Sequence, residues 1–176
     1  MVRTERQRVM SEFIEYIEEL RNLHGQECWG IAAGEGTGSH ITLDFGEKIP
    51  RARPLKNQNL PEMQRQHKGE FGIFVQNCAW RLEMDRAFFS SKSPNENDGE
   101  MVRALQNLIG RRVVSVVATP SAHDLAVEFS GAVKLSLFCD CVDEERDGNN
   151  YSFHSLKSVF VIRAGGHLAL ESRAKA

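Results

Sequence analysis

Apolar residues near the start of the chain fall three and four apart: Val9, Met10, Phe13, Ile14, Ile17 and Leu20, with Glu12, Glu15, Glu18 and Glu19 between them. This spacing predicts an α-helix from about Arg3 to His24, because 3.6 residues per turn brings such positions onto one stripe. Thr4 with Gln7 three residues on has the form of a capping box, and His24-Gly25 that of a stop. The stripe needs cover, from a sheet of the same chain, a partner helix or a second copy in a homodimer.

Beyond the helix the period drops to two. Strands are expected at about Cys28 to Ala33 and Ser39 to Phe45, joined by the Gly34-Glu35-Gly36-Thr37-Gly38 loop as a hairpin. No Gly-Lys-Ser/Thr follows those glycines and the next segment alternates like a strand, so the loop is not read as a phosphate cradle. From Glu47 to Lys68 the pattern reads as a long irregular segment with Pro50, Pro54 and Pro61. Phe71 to Met84 reads as one long central strand with a bulge at Gln76-Asn77, and Phe88 to Gly99 as a connector.

Asn97 or Asp98 then caps a second helix with Met101, Leu105, Leu108 and Ile109 on its apolar side, closed by Gly110. Six strands follow: about Arg112 to Ala118, Asp124 to Ser130, Val133 to Cys139, Ser152 to His154, Val159 to Arg163 and His167 to Glu171. Their short links demand antiparallel pairing. The expected fold class is therefore α+β, a mainly antiparallel sheet with an N-terminal and a central helix packed on it. The hairpin of the first part is echoed by Val113–Val117 and Leu125–Gly131, so the single domain expected over 1–176 has possible internal halves at 26–84 and 111–171, linked by 85–110.

Composition narrows the function classes. The 176 residues are 41% hydrophobic with a formal net charge of -2, enough to bury a core but without the field that holds nucleic acid or an anionic membrane. A nucleic-acid partner is disfavoured for the surface as a whole. No apolar run approaches the roughly 18 residues of a membrane span, and the charged start lacks a signal-peptide core, so a cytoplasmic location is expected. Cys28, Cys78, Cys139 and Cys141 match neither a zinc ribbon nor a disulfide framework and read as reduced thiols, and no cofactor or metal is expected.

Two charged segments stand out as binding candidates. Arg51, Arg53, Lys56, Arg65 and Lys68 make the long proline-bearing segment basic, while Asp143, Glu144, Glu145 and Asp147 make the 140–150 loop acidic. Loops of this length tend to be functional or disordered. Catalytic motifs are missing: there is no Gly-x-Ser-x-Gly, His-Glu-x-x-His, dinucleotide fingerprint or Walker loop. The remaining enzymatic candidates are His40 with Asp44, which share a strand face at a spacing of four, and Asp124 with Glu128 in the echoing strand. His123 is one residue out of step with Glu128.

The run Leu108-x-Gly110-x-x-Val113-x-x-Val116, then Asp124-Leu125 and Phe129-x-Gly131-x-x-x-Leu135, resembles small bacterial domains, some of them similar to immunity proteins encoded beside polymorphic toxins. The resemblance covers about a third of the chain and brings no catalytic residues. It implies a stoichiometric protein that binds and blocks a protein partner. Three classes are carried forward: a non-catalytic protein-binding module using both charged loops; a small metal-dependent or hydrolytic enzyme on His40, Asp44, Asp124 and Glu128; and a nucleic-acid-associated protein using the basic segment.

Overall fold

A computed structural model of the protein describes residues 5–143 and 148–172. The N-terminal helix α1 spans Glu5–Arg21, followed by β1 (Cys28–Ala32) and β2 (Ile41–Pro50). A short helix α2 (Glu62–Gln66) leads into β3 (His67–Val75), β4 (Ala79–Met84) and β5 (Ala87–Ser90). Helix α3 (Glu100–Gln106) precedes β6 (Val113–Ala118), β7 (Leu125–Phe129) and β8 (Val133–Phe138). The chain closes with β9 (Asn149–His154), β10 (Ser158–Arg163) and β11 (Leu168–Ser172).

These strands form two antiparallel sheets, so the fold is α+β as the pattern predicts. Sheet 1 has the order β1-β2-β3-β9-β10-β11, and sheet 2 the order β5-β4-β8-β7-β6. Sheet 2 is built from one continuous stretch, whereas sheet 1 takes strands from before and after it. Neither sheet coincides with either expected half, although the two echoing hairpins, β1–β2 and β6–β7, do meet: Glu27 bridges Arg112, and Cys28 N–H donates to the Arg111 carbonyl at 2.9 Å.

Pairing register explains the core. Residues directly opposite across strands share a face, so Ile31, Leu43, Ile73, Phe153 and Phe160 line up across five strands of sheet 1 and point inward. Leu82, Leu135, Val127 and Val116 make the facing row in sheet 2. Phe45 and Phe129 stack between the sheets with centroids 6.3 Å apart. Over the β9–β10 end it is α1 that supplies the cover, Tyr16 lying 5.4 Å from Phe160 and 6.5 Å from Phe153.

Several expectations are corrected by this arrangement. The buried side of α1 is Tyr16 and Leu20, with Leu23 just beyond the helix and Phe13 and Ile17 partly buried, while Val9, Met10 and Ile14 are exposed. Tyr16, absent from the expected stripe, is the residue that rotates it. Thr4, the expected cap, lies outside the described residues. The segment 71–84 is two strands in two sheets: Gln76 and Asn77 still donate to the Asn150 and Asn149 carbonyls, then the chain crosses at Cys78, so those polar residues mark a change of sheet and not a bulge. Helix α3 is entered through Gly99 with no side-chain cap, since Asp98 sits at φ 61. Part of the 88–99 connector is strand β5.

A polar seam pins α1 to sheet 1. The Tyr16 and Tyr151 hydroxyls meet at 2.5 Å, and Tyr151 Oη donates to the His123 carbonyl at 2.7 Å. Both phenols are fully buried, and burial holds both pKa values above the ordinary tyrosine range. Tyr151→Phe leaves the buried Tyr16 hydroxyl without its partner and the His123 carbonyl with only Cys139 Sγ at 3.5 Å, and is expected to cost about 1–3 kcal/mol. In a urea double-mutant cycle, Tyr16→Phe with Tyr151→Phe should cost less than the sum of the single changes; an additive result would mean that the hydroxyls do not act as a pair.

Candidate functional site

The outer face of sheet 1 carries the site. The same register that sends Leu43 and Ile73 inward sends Gly30, Asp44, Gly72, His154 and Val159 outward in one row. The neighbouring row is Ala32, Thr42, Phe74, Ser152 and Val161. Gly72 puts no side chain between Asp44 and His154, so the sheet surface is hollow there; a Cβ at that position would meet only the Leu43 carbonyl oxygen at 3.6 Å and His154 Cβ at 3.9 Å. The hollow is a pocket of about 510 Å³ lined also by Arg51, Leu55, Lys68 and Phe74.

Its roof is the segment expected to be irregular from 47 to 68. Strand β2 runs on to Pro50 and β3 begins at His67, so only residues 51–61 are loop, and α2 follows at once. Four hydrogen bonds tie this arm to the α2 segment and the start of β3. Arg51 N–H donates to the Gln66 carbonyl at 2.7 Å, Leu55 N–H to the Arg65 carbonyl at 2.9 Å, and Arg51 Nε to the carbonyls of Gln64 at 3.2 Å and His67 at 2.9 Å. Gln64 is buried beneath α2, its Nε2 close against Gly30.

Asp44 is the unusual group. It is 7% exposed, and its Oδ1 accepts from Gly69 N–H at 2.9 Å. That donor is free because β2 bulges between Phe45 and Lys48, and Gly69 fits there only as glycine, since a Cβ would lie 2.7 Å from Phe45 N. Oδ2 accepts no hydrogen bond among the described residues. Burial raises the Asp44 pKa above its ordinary value of 3.8, against the opposing pull of the Gly69 hydrogen bond and of the Arg51 charge. Arg51 makes no direct ion pair with Asp44 among the described residues. On the far side, His154 Nε2 lies 2.8 Å from Ser152 Oγ, which fixes the imidazole ring.

The predicted candidates separate in space. His40 and Asp44 do share the outer face of sheet 1, with the His40 ring edge-on to Phe74 at 6.1 Å. Glu128 is in sheet 2, and Asp124 immediately precedes its strand β7. Asp124 Oδ1 accepts from Cys139 N–H at 2.7 Å and locks a turn, while Glu128 is exposed opposite Lys134 and Ser115. The four do not form one catalytic site. Among the basic residues, Arg51 and Lys68 enter the pocket, Arg53 and Lys56 are exposed on the arm, and Arg65 Nη1 donates to Gln58 Oε1 at 3.2 Å.

Gly148, where the described chain resumes after the acidic loop, lies by Asn77, past the end of β3 that is remote from the arm, about 30 Å away for a nine-residue strand. Asp143 is exposed, and Glu144, Glu145 and Asp147 lie outside the described residues. Missed by sequence reasoning were Gly30, Gln64, Gly72, Ser152 and His154; the only trace was the alternation Asn149-Asn150-Tyr151-Ser152-Phe153-His154, which places Ser152 and His154 on one face.

Among the described residues no three His, Cys, Asp or Glu side chains are grouped to hold a metal ion. The four cysteines are free, and burial raises the Cys28 and Cys78 thiols to about 12, far from the thiolate form that attacks electrophiles. No described helix is long and apolar enough to cross a membrane. Comparisons with protein-family models, curated proteins and solved structures find no match to this chain.

The raised Asp44 pKa has a stability consequence with a definite sign. A carboxyl that binds its proton more tightly when folded favours the fold at low pH, and that contribution is lost as pH rises above 3.8 and through the raised folded value. Asp44→Asn keeps an acceptor for Gly69 and removes the buried charge. It should be at least as stable as the wild type in urea at pH 7, with the advantage shrinking on acidification; a destabilised variant would show that the charge itself holds the arm down.

Proposed function

We propose that this chain is a non-catalytic protein-binding module that grips an acidic surface of a partner through the arm at residues 51–61. The observation that carries the reading is the ordering of that arm before any partner arrives. Its backbone is tied at Arg51 and Leu55, so the exposed cations Arg53 and Lys56 and the exposed apolar side chains Leu55 and Met63 are presented together. Binding by such a surface avoids most of the entropy cost of ordering a loop at the interface. Oppositely charged partners are then steered into register.

A stoichiometric blocker of the immunity type, the role implied by the resemblance in residues 108–135, fits this surface. Blocking demands a rigid shape and a preformed contact patch and asks nothing of the blocker's own chemistry. The four-residue enzymatic alternative loses its support, because its members lie on different sheets.

Charge reversal at the arm tests the reading. Arg53→Glu with Lys56→Glu changes two exposed side chains and should leave the urea midpoint unchanged. In quantitative affinity capture from the source cell, a protein retained one-to-one by the wild type should fall about tenfold or more with the variant, the equivalent of ~1.4 kcal/mol. Equal retention by both, or retention of nucleic acid alone with a steep salt dependence, overturns the proposal.

A further inference from the structure

The pocket beneath the arm points to a ligand of its own, and although Leu55 borders both, its charged residues are not those of the partner surface. Two opposite charges face into one hollow without meeting. On one side is the Asp44 carboxylate, at the pocket wall, with Oδ1 held by Gly69 and Oδ2 lying over Gly30 near Gln64 Nε2 without a hydrogen bond among the described residues. On the other is Arg51, anchored through Nε to two backbone carbonyls, so its terminal nitrogens, which make no hydrogen bond among the described residues, remain for another group. Lys68 adds a second cation to the lining, and Leu55 and Phe74 add apolar wall.

A buried charge normally has compensating hydrogen bonds or a direct counter-ion. Asp44 has one hydrogen bond and a cation held off at a distance, and burial shifts its protonation accordingly. A cationic donor would complete its compensation. A ligand that brings an ammonium to Asp44 and an anionic group to Arg51 satisfies both ends, and an aliphatic or aromatic side chain branching beside them covers Phe74 and Leu55. At about 510 Å³ the space is in the range of small-molecule sites and far too small for a folded surface. Glycine at position 72 is what keeps it open.

We propose that this pocket binds a small zwitterion of the amino-acid type, with its ammonium on Asp44, its carboxylate on Arg51 and an apolar side chain against Phe74 and Leu55. The site is independent of the partner surface at Arg53 and Lys56, and either proposal stands if the other fails.

The test is a titration of the full chain with L-leucine and L-phenylalanine, read from backbone amide shifts. Saturable shifts centred on Gly69, Gly72 and Phe74 are expected. The charge-deleted analogues of leucine, isoamylamine and 4-methylpentanoate, should each bind about tenfold more weakly than leucine. Asp44→Asn should weaken leucine and isoamylamine and spare 4-methylpentanoate, and Arg51→Ala should weaken leucine and 4-methylpentanoate and spare the amine. Gly72→Val should block all of them, and its amide spectrum reports whether the sheet has kept its fold. If that spectrum shows the sheet disturbed, the pattern with Asp44→Asn and Arg51→Ala decides. Binding of either analogue as tightly as leucine overturns the zwitterion assignment, as does the absence of saturable shifts with both amino acids up to about 10 mM.

Discussion

Sheet 1 turns one apolar face inward across most of its six strands, and hiding that face dictates the rest of the architecture. Five-stranded sheet 2 covers the β1–β3 end, where Phe45 stacks on Phe129. The β9–β10 end is left to α1, which fills it with Tyr16 and Leu20. Burying tyrosine there carries a polar hydroxyl into the core, and such a group is costly unless it finds a partner. Tyr151 supplies one, and the His123 carbonyl takes the remaining proton. One hydrophobic demand thus selects a helix and a hydrogen-bonded seam together.

The same pleat leaves the outer face of sheet 1 free of that demand. Two glycines and a bulge then create a hollow where a fully occupied sheet would have side chains. Asp44 sits in this hollow against the interest of stability, since its charge is desolvated and only partly compensated. Structures that hold a group in a costly state usually do so because the group acts there, at the expense of a more stable alternative. The cations around the hollow divide between two tasks: Arg51 on the arm and Lys68 on β3 face in, while Arg53 and Lys56 face out.

Legibility followed the range of the interaction. Both hairpins, the final meander of strands and the central helix were readable because period-two alternation, glycine turns and short links are local properties of the chain. Helix α1 was readable in extent but not in orientation, since which stripe is buried depends on Tyr16 finding Tyr151 some 135 residues away. The break at Cys78 was hidden for a similar reason. Alternation continues through it, and only the choice of neighbours, β9 before and β8 after, reveals the change of sheet.

At the candidate site the chain by itself settled that His40 and Asp44 share a face and that the segment around Arg51 to Lys68 is basic. It also settled the α+β class and the antiparallel pairing, because these follow from side-chain alternation and loop length. Tertiary structure alone decided that Asp124 and Glu128 stand at another sheet, that Gly72 clears space beside Asp44, and that Ser152 and His154 flank it from a strand nearly 80 residues later in the chain. Register between distant strands makes those decisions, and register is set by the joint burial of both partners' faces, which no local stretch of sequence contains.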